Sequence, residues 1–149
     1  VLIVGAAAGN GDPFGPLHGL ARVPAAAVAE QAESRVMSLA GFDEALAASQ
    51  ASEKPVLVSF TADWCTVCKS NEAVMAKPAV RGRLEALPSI VADVTAYSQA
   101  TRALMTRFAV IGPPTLFLVD KEGHEIPGSR LTGPITIQSL QARLTQAGA

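Results

Sequence analysis

Apolar positions along the chain fall into short runs separated by Gly- and Pro-containing breaks, and the period of each run predicts an element. Arg35-Val36-Met37-Ser38-Leu39 alternates apolar with polar, as a half-buried strand does. Phe42, Ala45, Leu46 and Ser49 recur at helical spacing, and Gly41 with Asp43 marks the start, so the pattern predicts a helix over about residues 42–51. Pro55-Val56-Leu57-Val58-Ser59-Phe60-Thr61 is a short β-branched run of the kind that forms a strand covered on both faces. The stretch Ala62 to Lys69 then leads into a helix through Asn71, Glu72, Val74 and Met75. Pro78 opens a further helical segment to about Leu87, with Val80, Leu84 and Leu87 on one face, and Pro88 stops it. Ser89 to Thr95 reads as a strand, and Ser98 to Phe108 as a helix with Leu104, Met105 and Phe108 in its apolar stripe. Beyond the break at Gly112-Pro113-Pro114, Thr115 to Val119 is a strand. The turn chemistry of Asp120-Lys121-Glu122-Gly123 folds the next strand back as a hairpin. A short strand near Arg130-Leu131-Thr132, a break at Gly133-Pro134 and a helix from about Thr136 to Thr145, with Ile137, Leu140 and Leu144 inward, complete the pattern.

The opening of the chain reads differently. It begins with Val1 rather than Met, from which we expect a piece cut from a longer precursor. Val1 to Ala8 is apolar throughout, but it covers eight residues where a bilayer crossing needs about 20. Its readings are the end of a transmembrane helix, the end of a signal peptide's apolar region, or an apolar strand or disordered end. The first two put the remainder of the chain outside the cytosol. Gly9 to Pro24 is rich in Gly and Pro and reads as linker, while Ala25 to Ala32 is either a helical turn or more linker. The expected division is a tail and linker over residues 1–34 and a folded domain over residues 35–149.

Composition narrows the class of protein. A chain of 149 residues holds one globular domain and a tail. With 49% hydrophobic and 17% charged residues and a mean hydropathy of +0.29, it has ample material for a core. Twelve Lys plus Arg against thirteen Asp plus Glu leave a net charge of -1, so no basic field gathers phosphates and nucleic acid is not an expected partner. The two cysteines, Cys65 and Cys68, are too few for a disulfide-stapled scaffold.

The chemistry is concentrated in that pair. Cys65 falls where a strand hands over to a helix, so unpaired backbone N–H groups and the positive end of the helix dipole point at its sulfur and stabilise a thiolate. Cys68, three residues on, comes to the same side of the first turn, close enough for a disulfide. In such a pair the first cysteine usually attacks a foreign disulfide and the second resolves the mixed disulfide. A structural zinc site would need about four ligands, and beyond this pair only His18 and His124 stand as candidate imidazoles. Two thiolates could hold copper(I), although Asp63 rather than a thioether lies two residues before Cys65. A permanent disulfide across so short a loop would constrain the unfolded chain little.

These residues also carry a resemblance. From about Arg35 to Leu144 the chain resembles a thioredoxin-fold domain, through Trp64-Cys65-Thr66-Val67-Cys68-Lys69 and the turn Gly112-Pro113-Pro114-Thr115. Thr61-Ala62-Asp63-Trp64-Cys65 through Lys69-Ser70-Asn71-Glu72, and Gly112 to Phe117, resemble more closely the C-terminal periplasmic domain of the thiol:disulfide interchange protein DsbD family. The resemblance implies an α/β thioredoxin fold, with a central mixed β-sheet flanked by helices behind an N-terminal linker. It implies no cofactor. It casts Cys65 as the attacking thiol, Cys68 as the resolving thiol, Pro114 as a cis-proline beside them and Pro113 as the residue whose backbone meets an incoming peptide, with Trp64 beside the pair. An ordinary trans turn is the plain alternative for Pro114. Electrons would come from the protein's own transmembrane domain and pass to its own N-terminal periplasmic domain, and from there to disulfide isomerases and cytochrome c maturation proteins. The implied location is the periplasmic face of a bacterial inner membrane, attached through an N-terminal transmembrane segment, with the isolated domain monomeric. The end domain of a copper-stress-linked membrane disulfide reductase, a redox-inert metal-binding module, and a net oxidant or isomerase are the other readings.

Two positions bear on proton handling. Glu72 lies four residues past Cys68 and seven past Cys65, on the same helical face as both, where its charge opposes thiolate formation and raises the Cys65 pKa; the family is thought to use a matching acidic residue in this way. Lys69 pulls the other way, and an exposed helix carboxylate is the plain reading of Glu72. Thioredoxins and the best-known relatives carry an acidic side chain six residues before the attacking cysteine. Here that position is Ser59, which cannot accept a proton at neutral pH, so we expect a Cys65 pKa raised less than in a relative with the acid.

Overall fold

A computed structural model describes residues 33–149. The expectations for the apolar opening and the linker therefore lie outside the described residues. Glu33 to Ala149 forms one compact unit. No helix among the described residues is long and apolar enough to cross a membrane.

The strand β2 (Val56–Thr61) shows why the sheet is central. Val56, Val58 and Phe60 turn to one apolar cluster and Leu57 to another, so the period of two puts core on both faces. Around it stand β1 (Ser34–Val36), β3 (Ser89–Asp93), β4 (Thr115–Val119) and β5 (Leu131–Thr132), in the order β1-β3-β2-β4-β5. β3 runs parallel to both β1 and β2, whereas β4 is antiparallel to β2 and β5. The sheet is mixed. On one face lie Phe42 and Leu46 from α1 (Leu39–Ser49) and Leu104 and Met105 from α4 (Gln99–Arg107). On the other lie Val80 and Leu84 from α3 (Pro78–Glu85) and Leu140 and Leu144 from α5 (Ile137–Gln146). Phe42, Phe60, Phe108 and Phe117 form an aromatic cluster with centroid distances of 4.9 to 6.2 Å.

Observed element ends depart from the sequence pattern where a side chain caps the backbone. β1 stops at Val36 because the Ser38 hydroxyl accepts the Gly41 N–H at 3.1 Å and caps α1, which starts at Leu39 rather than at Phe42. A short 3-10 turn, Gln50–Ser52, follows α1. β3 ends at Asp93, two residues early, as the Asp93 carboxylate accepts the Thr95 N–H at 2.9 Å. The hairpin after β4 is shorter than expected: Val119 pairs with Glu125 as an isolated bridge, and the chain leaves the sheet before returning as β5. At its turn, Gly123 has φ +88, and a Cβ there would sit 2.6 Å from Leu46 Cδ2, so any other residue is strained there and displaces the Leu46 side chain.

Candidate functional site

β2 ends at Thr61, and the chain turns through Ala62, Asp63 and Trp64, closed by the Cys65 N–H donating to Ala62 O at 3.1 Å. Cys65 is the N-cap of α2 (Thr66–Met75), in extended conformation, and its Sγ accepts the Cys68 N–H at 3.1 Å. The sulfur takes the place that a Ser or Asp oxygen usually fills at a helix start. Cys65 and Cys68 form a disulfide with their Cα atoms 5.3 Å apart. Both belong to the apolar cluster and are nearly covered, Cys65 at 6% exposure and Cys68 at 3%. Partial positive charge on the first-turn N–H groups favours negative charge on Cys65 once the bond opens.

Of the other expected site residues, Trp64 precedes Cys65 in the chain, and Pro114 and Glu72 share a cavity with Cys68. Trp64 is 59% exposed, and its indole N–H donates to Thr95 O at 3.3 Å. The peptide bond between Pro113 and Pro114 is cis. Pro114 and Cys68 line one cavity of about 340 Å³, together with Ser59, Asn71, Glu72 and Thr115. The proline loop is fixed at both ends, by the Thr115 hydroxyl donating to Gly112 O at 2.8 Å and by the Gly133 N–H donating to Pro114 O at 3.1 Å. Before the loop, the Arg130 guanidinium holds the end of α4, donating to Phe108 O at 2.6 Å while paired with Glu125. Glu72 lies at the cavity, exposed, with its carboxylate 4.0 Å from Lys69 Nζ.

Three residues that the sequence pattern did not single out also shape the site. Asn71 is buried on α2, donating through Nδ2 to Gly133 O at 2.9 Å and accepting the Ile135 N–H at 3.1 Å. Its amide thereby pairs with backbone as a strand would and locks the helix to the segment beyond Pro114. Asp93 and Thr95 stand at the end of β3, two residues apart. The Thr95 hydroxyl donates to Asp93 Oδ1 at 2.5 Å and accepts the Asp63 N–H at 2.9 Å, while Arg35 pairs with Asp93 Oδ2 at 2.6 Å.

The Asp93 carboxyl titrates below the ordinary carboxylate range. Burial pushes it up, but hydrogen bonds from the Thr95 hydroxyl and N–H, joined by Arg35, outweigh that penalty. A folded-state value below the unfolded one makes this carboxylate stabilising above about pH 4 and removes that contribution as the pH falls through the folded value. Asp93→Asn is therefore expected to lower the denaturant midpoint at neutral pH and to converge with the parent as the pH falls below the folded-state value of this carboxyl. Urea titrations across this range check it; a constant difference at every pH would contradict it.

A disulfide at the start of a helix, delivered by a central strand and sharing a cavity with a cis-proline loop, is the arrangement of the thioredoxin-like class. The chain belongs to the thioredoxin-like family, whose model matches residues 36–121. Within it, the chain is similar to the thiol:disulfide interchange protein DsbD of Ralstonia nicotianae, at 38% identity over 99% of this chain and 25% of that protein. DsbD 2 of Pseudomonas aeruginosa is 39% identical over 90% of this chain and 24% of its own length. The chain thus spans about a quarter of these curated relatives. Among solved structures, the oxidised C-terminal domain of Neisseria meningitidis DsbD superposes with a TM-score of 0.65 at 26% identity, covering 75% of this chain and 99% of that domain. A Thermus thermophilus thioredoxin gives 0.62 at 27% identity, covering 80% of this chain and 88% of that one. The chain is accordingly a relative of the DsbD C-terminal domain.

Proposed function

We propose that this domain is a two-electron relay, reduced by a membrane-embedded dithiol and oxidised by periplasmic protein disulfides. The observation that carries the reading is the Cys65 sulfur seated at the N-cap of α2, bonded to Cys68 and receiving its N–H. In the reduced domain the Cys65 thiolate attacks one sulfur of an acceptor disulfide; a bond to Cys65 forms, and the acceptor's other sulfur leaves as a thiolate and takes a proton. Cys68 loses its proton and attacks Cys65 Sγ, closing the Cys65–Cys68 bond and releasing the acceptor's second thiolate. The acceptor gains the two electrons that the dithiol loses. The same steps in reverse, with the membrane dithiol as attacker, reload the domain.

In this reading the cis Pro113-Pro114 loop offers the Pro113 backbone to the incoming peptide, and Trp64 borders the approach. Glu72, on the helical face of the pair, opposes the Cys65 thiolate and slows indiscriminate attack, with Lys69 partly offsetting it. The donor is the protein's own transmembrane domain and the acceptor its own N-terminal periplasmic domain. The relay works at the periplasmic face of a bacterial inner membrane, attached through an N-terminal transmembrane segment, with the domain monomeric when isolated. Similarity to about a quarter of the DsbD proteins supports this arrangement.

Equilibration of the domain with a dithiothreitol redox buffer tests the direction of flow. A domain that reduces periplasmic disulfides has a potential nearer the about -270 mV of thioredoxin than the about -120 mV of a dedicated periplasmic oxidant. A value close to the latter would reverse the assignment.

A further inference from the structure

We propose that Thr95, anchored by Asp93, is a positioning residue for the dithiol: its hydroxyl holds the Ala62-Asp63-Trp64 bend so that the Cys65 sulfur stays within bonding reach of Cys68. The inference rests on the dithiol-exchange reading above. It starts from the connection between β2 and α2, which is short and, at Asp63 and Trp64, exposed. Left to itself, such a bend has backbone freedom that closing the disulfide would have to remove.

The neighbouring chain removes it in advance. Thr95 touches the bend twice, accepting the Asp63 N–H through Oγ1 at 2.9 Å and the Trp64 indole N–H through its carbonyl at 3.3 Å. A hydroxyl that accepts at one site needs an acceptor for its own proton, and Asp93 Oδ1 provides one at 2.5 Å while also taking the Thr95 N–H at 2.9 Å. Arg35 on β1 fixes the other carboxylate oxygen at 2.6 Å. Two strands, β1 and β3, and the bend are thus linked through one carboxylate. β2 and β3 are also tied beside it, where the Val94 N–H donates to Thr61 O at 2.9 Å. Among the described residues the Thr95 hydroxyl is the side-chain group that holds the Asp63 backbone, and it restrains Cys65 from its N-terminal side alongside the Cys65 N–H to Ala62 O bond and the Trp64 indole contact. Restraint of the reduced form raises the effective concentration of one thiol at the other.

The balance that reads this effect is dithiol plus oxidised glutathione giving the Cys65–Cys68 disulfide plus two reduced glutathione molecules. Thr95→Val keeps the shape and removes the hydroxyl. Loss of one such hydrogen bond is expected to shift the equilibrium constant about fivefold toward the dithiol, and Thr95→Ser is expected to restore it to within about twofold. A merely architectural role lowers the melting temperature of the oxidised and reduced forms alike and leaves this constant unmoved. Thr95→Val within about twofold of the parent, or Thr95→Ser failing to restore the constant, would overturn the proposal. Should Thr95→Val not fold, Asp93→Ala, which leaves Thr95 without its anchor, is expected to shift the constant in the same direction, and no shift would overturn it equally. A parent domain that does not exchange with glutathione at all would instead remove the dithiol reading, and this inference with it.

Discussion

Cys65→Ser is expected to reduce the protein-disulfide reductase activity of the domain to below roughly one-thousandth, whereas Cys68→Ala leaves the first attack intact and halts at a mixed disulfide. The two changes differ because the sulfurs do different work at one helix start. Serine is itself a preferred N-cap, so at position 65 it accepts the Cys68 N–H as sulfur does and leaves α2 in place. What disappears is the nucleophile. At position 68, 3% exposed and packed among apolar side chains, alanine is the better probe because serine would bury a hydroxyl. Without the resolving sulfur, only an external thiol frees the acceptor from Cys65. Insulin reduction followed by turbidity gives the activities, and mass spectrometry under non-reducing conditions finds the adduct. Activity retained in Cys65→Ser, or no adduct with Cys68→Ala, would contradict the assignment of attacking and resolving thiols.

How far this site was legible in the sequence depends on whether the physics is local. The β2 run, the Cys-x-x-Cys spacing at a strand-to-helix junction and the Gly-Pro-Pro break are each written in consecutive residues, and the fold places them as a pattern reading expects. Ser38 shows the limit. Its side chain competes with strand pairing by capping α1, and a reading by hydrophobic period extends the strand through it. Asn71, Asp93 and Thr95 lie further beyond reach. Asn71 reads as one polar residue among several on a helix, yet it pairs with backbone more than sixty positions away. Thr95 reads as the end of a strand, and only the parallel pairing of Thr61 with Asp93 brings it under the Asp63 N–H. The signal available in advance was the polar pair Asp93 and Thr95 at the mouth of an apolar strand, two apart and so on one face. For residues that hold an active loop from across a sheet, such a local mark gives no partner, because the partner is fixed only by strand pairing.

The aromatic cluster behind the disulfide sets the stability on which this geometry depends. Phe117, fully buried on β4, pairs with Val58 on β2 and packs against Phe60 at 6.1 Å and Phe108 at 5.2 Å. Arg130 covers its ring at 4.9 Å while holding Phe108 O. Phe117→Ala removes the ring from a site walled by two strands and a helix end, none of which can move inward without breaking sheet pairing. Its cost is expected at about 3–5 kcal/mol, set against a total of about 5–15 kcal/mol for a domain. At about 4 °C or more of melting temperature per kcal/mol, the transition falls by roughly 12 °C or more. Phe117 shares its apolar cluster with Cys65 and Cys68, but its aromatic partners sit on β2 and at the end of α4 rather than on α2, so the loss is expected to be the same in the oxidised and the reduced protein and the glutathione equilibrium constant to stay within about twofold of the parent. That combination separates core from clamp: Phe117→Ala lowers both melting temperatures and spares the constant, while Thr95→Val moves the constant. Calorimetry of both redox forms beside the glutathione titration reads the two together, and a constant displaced by Phe117→Ala would place the core and the dithiol in one coupled unit.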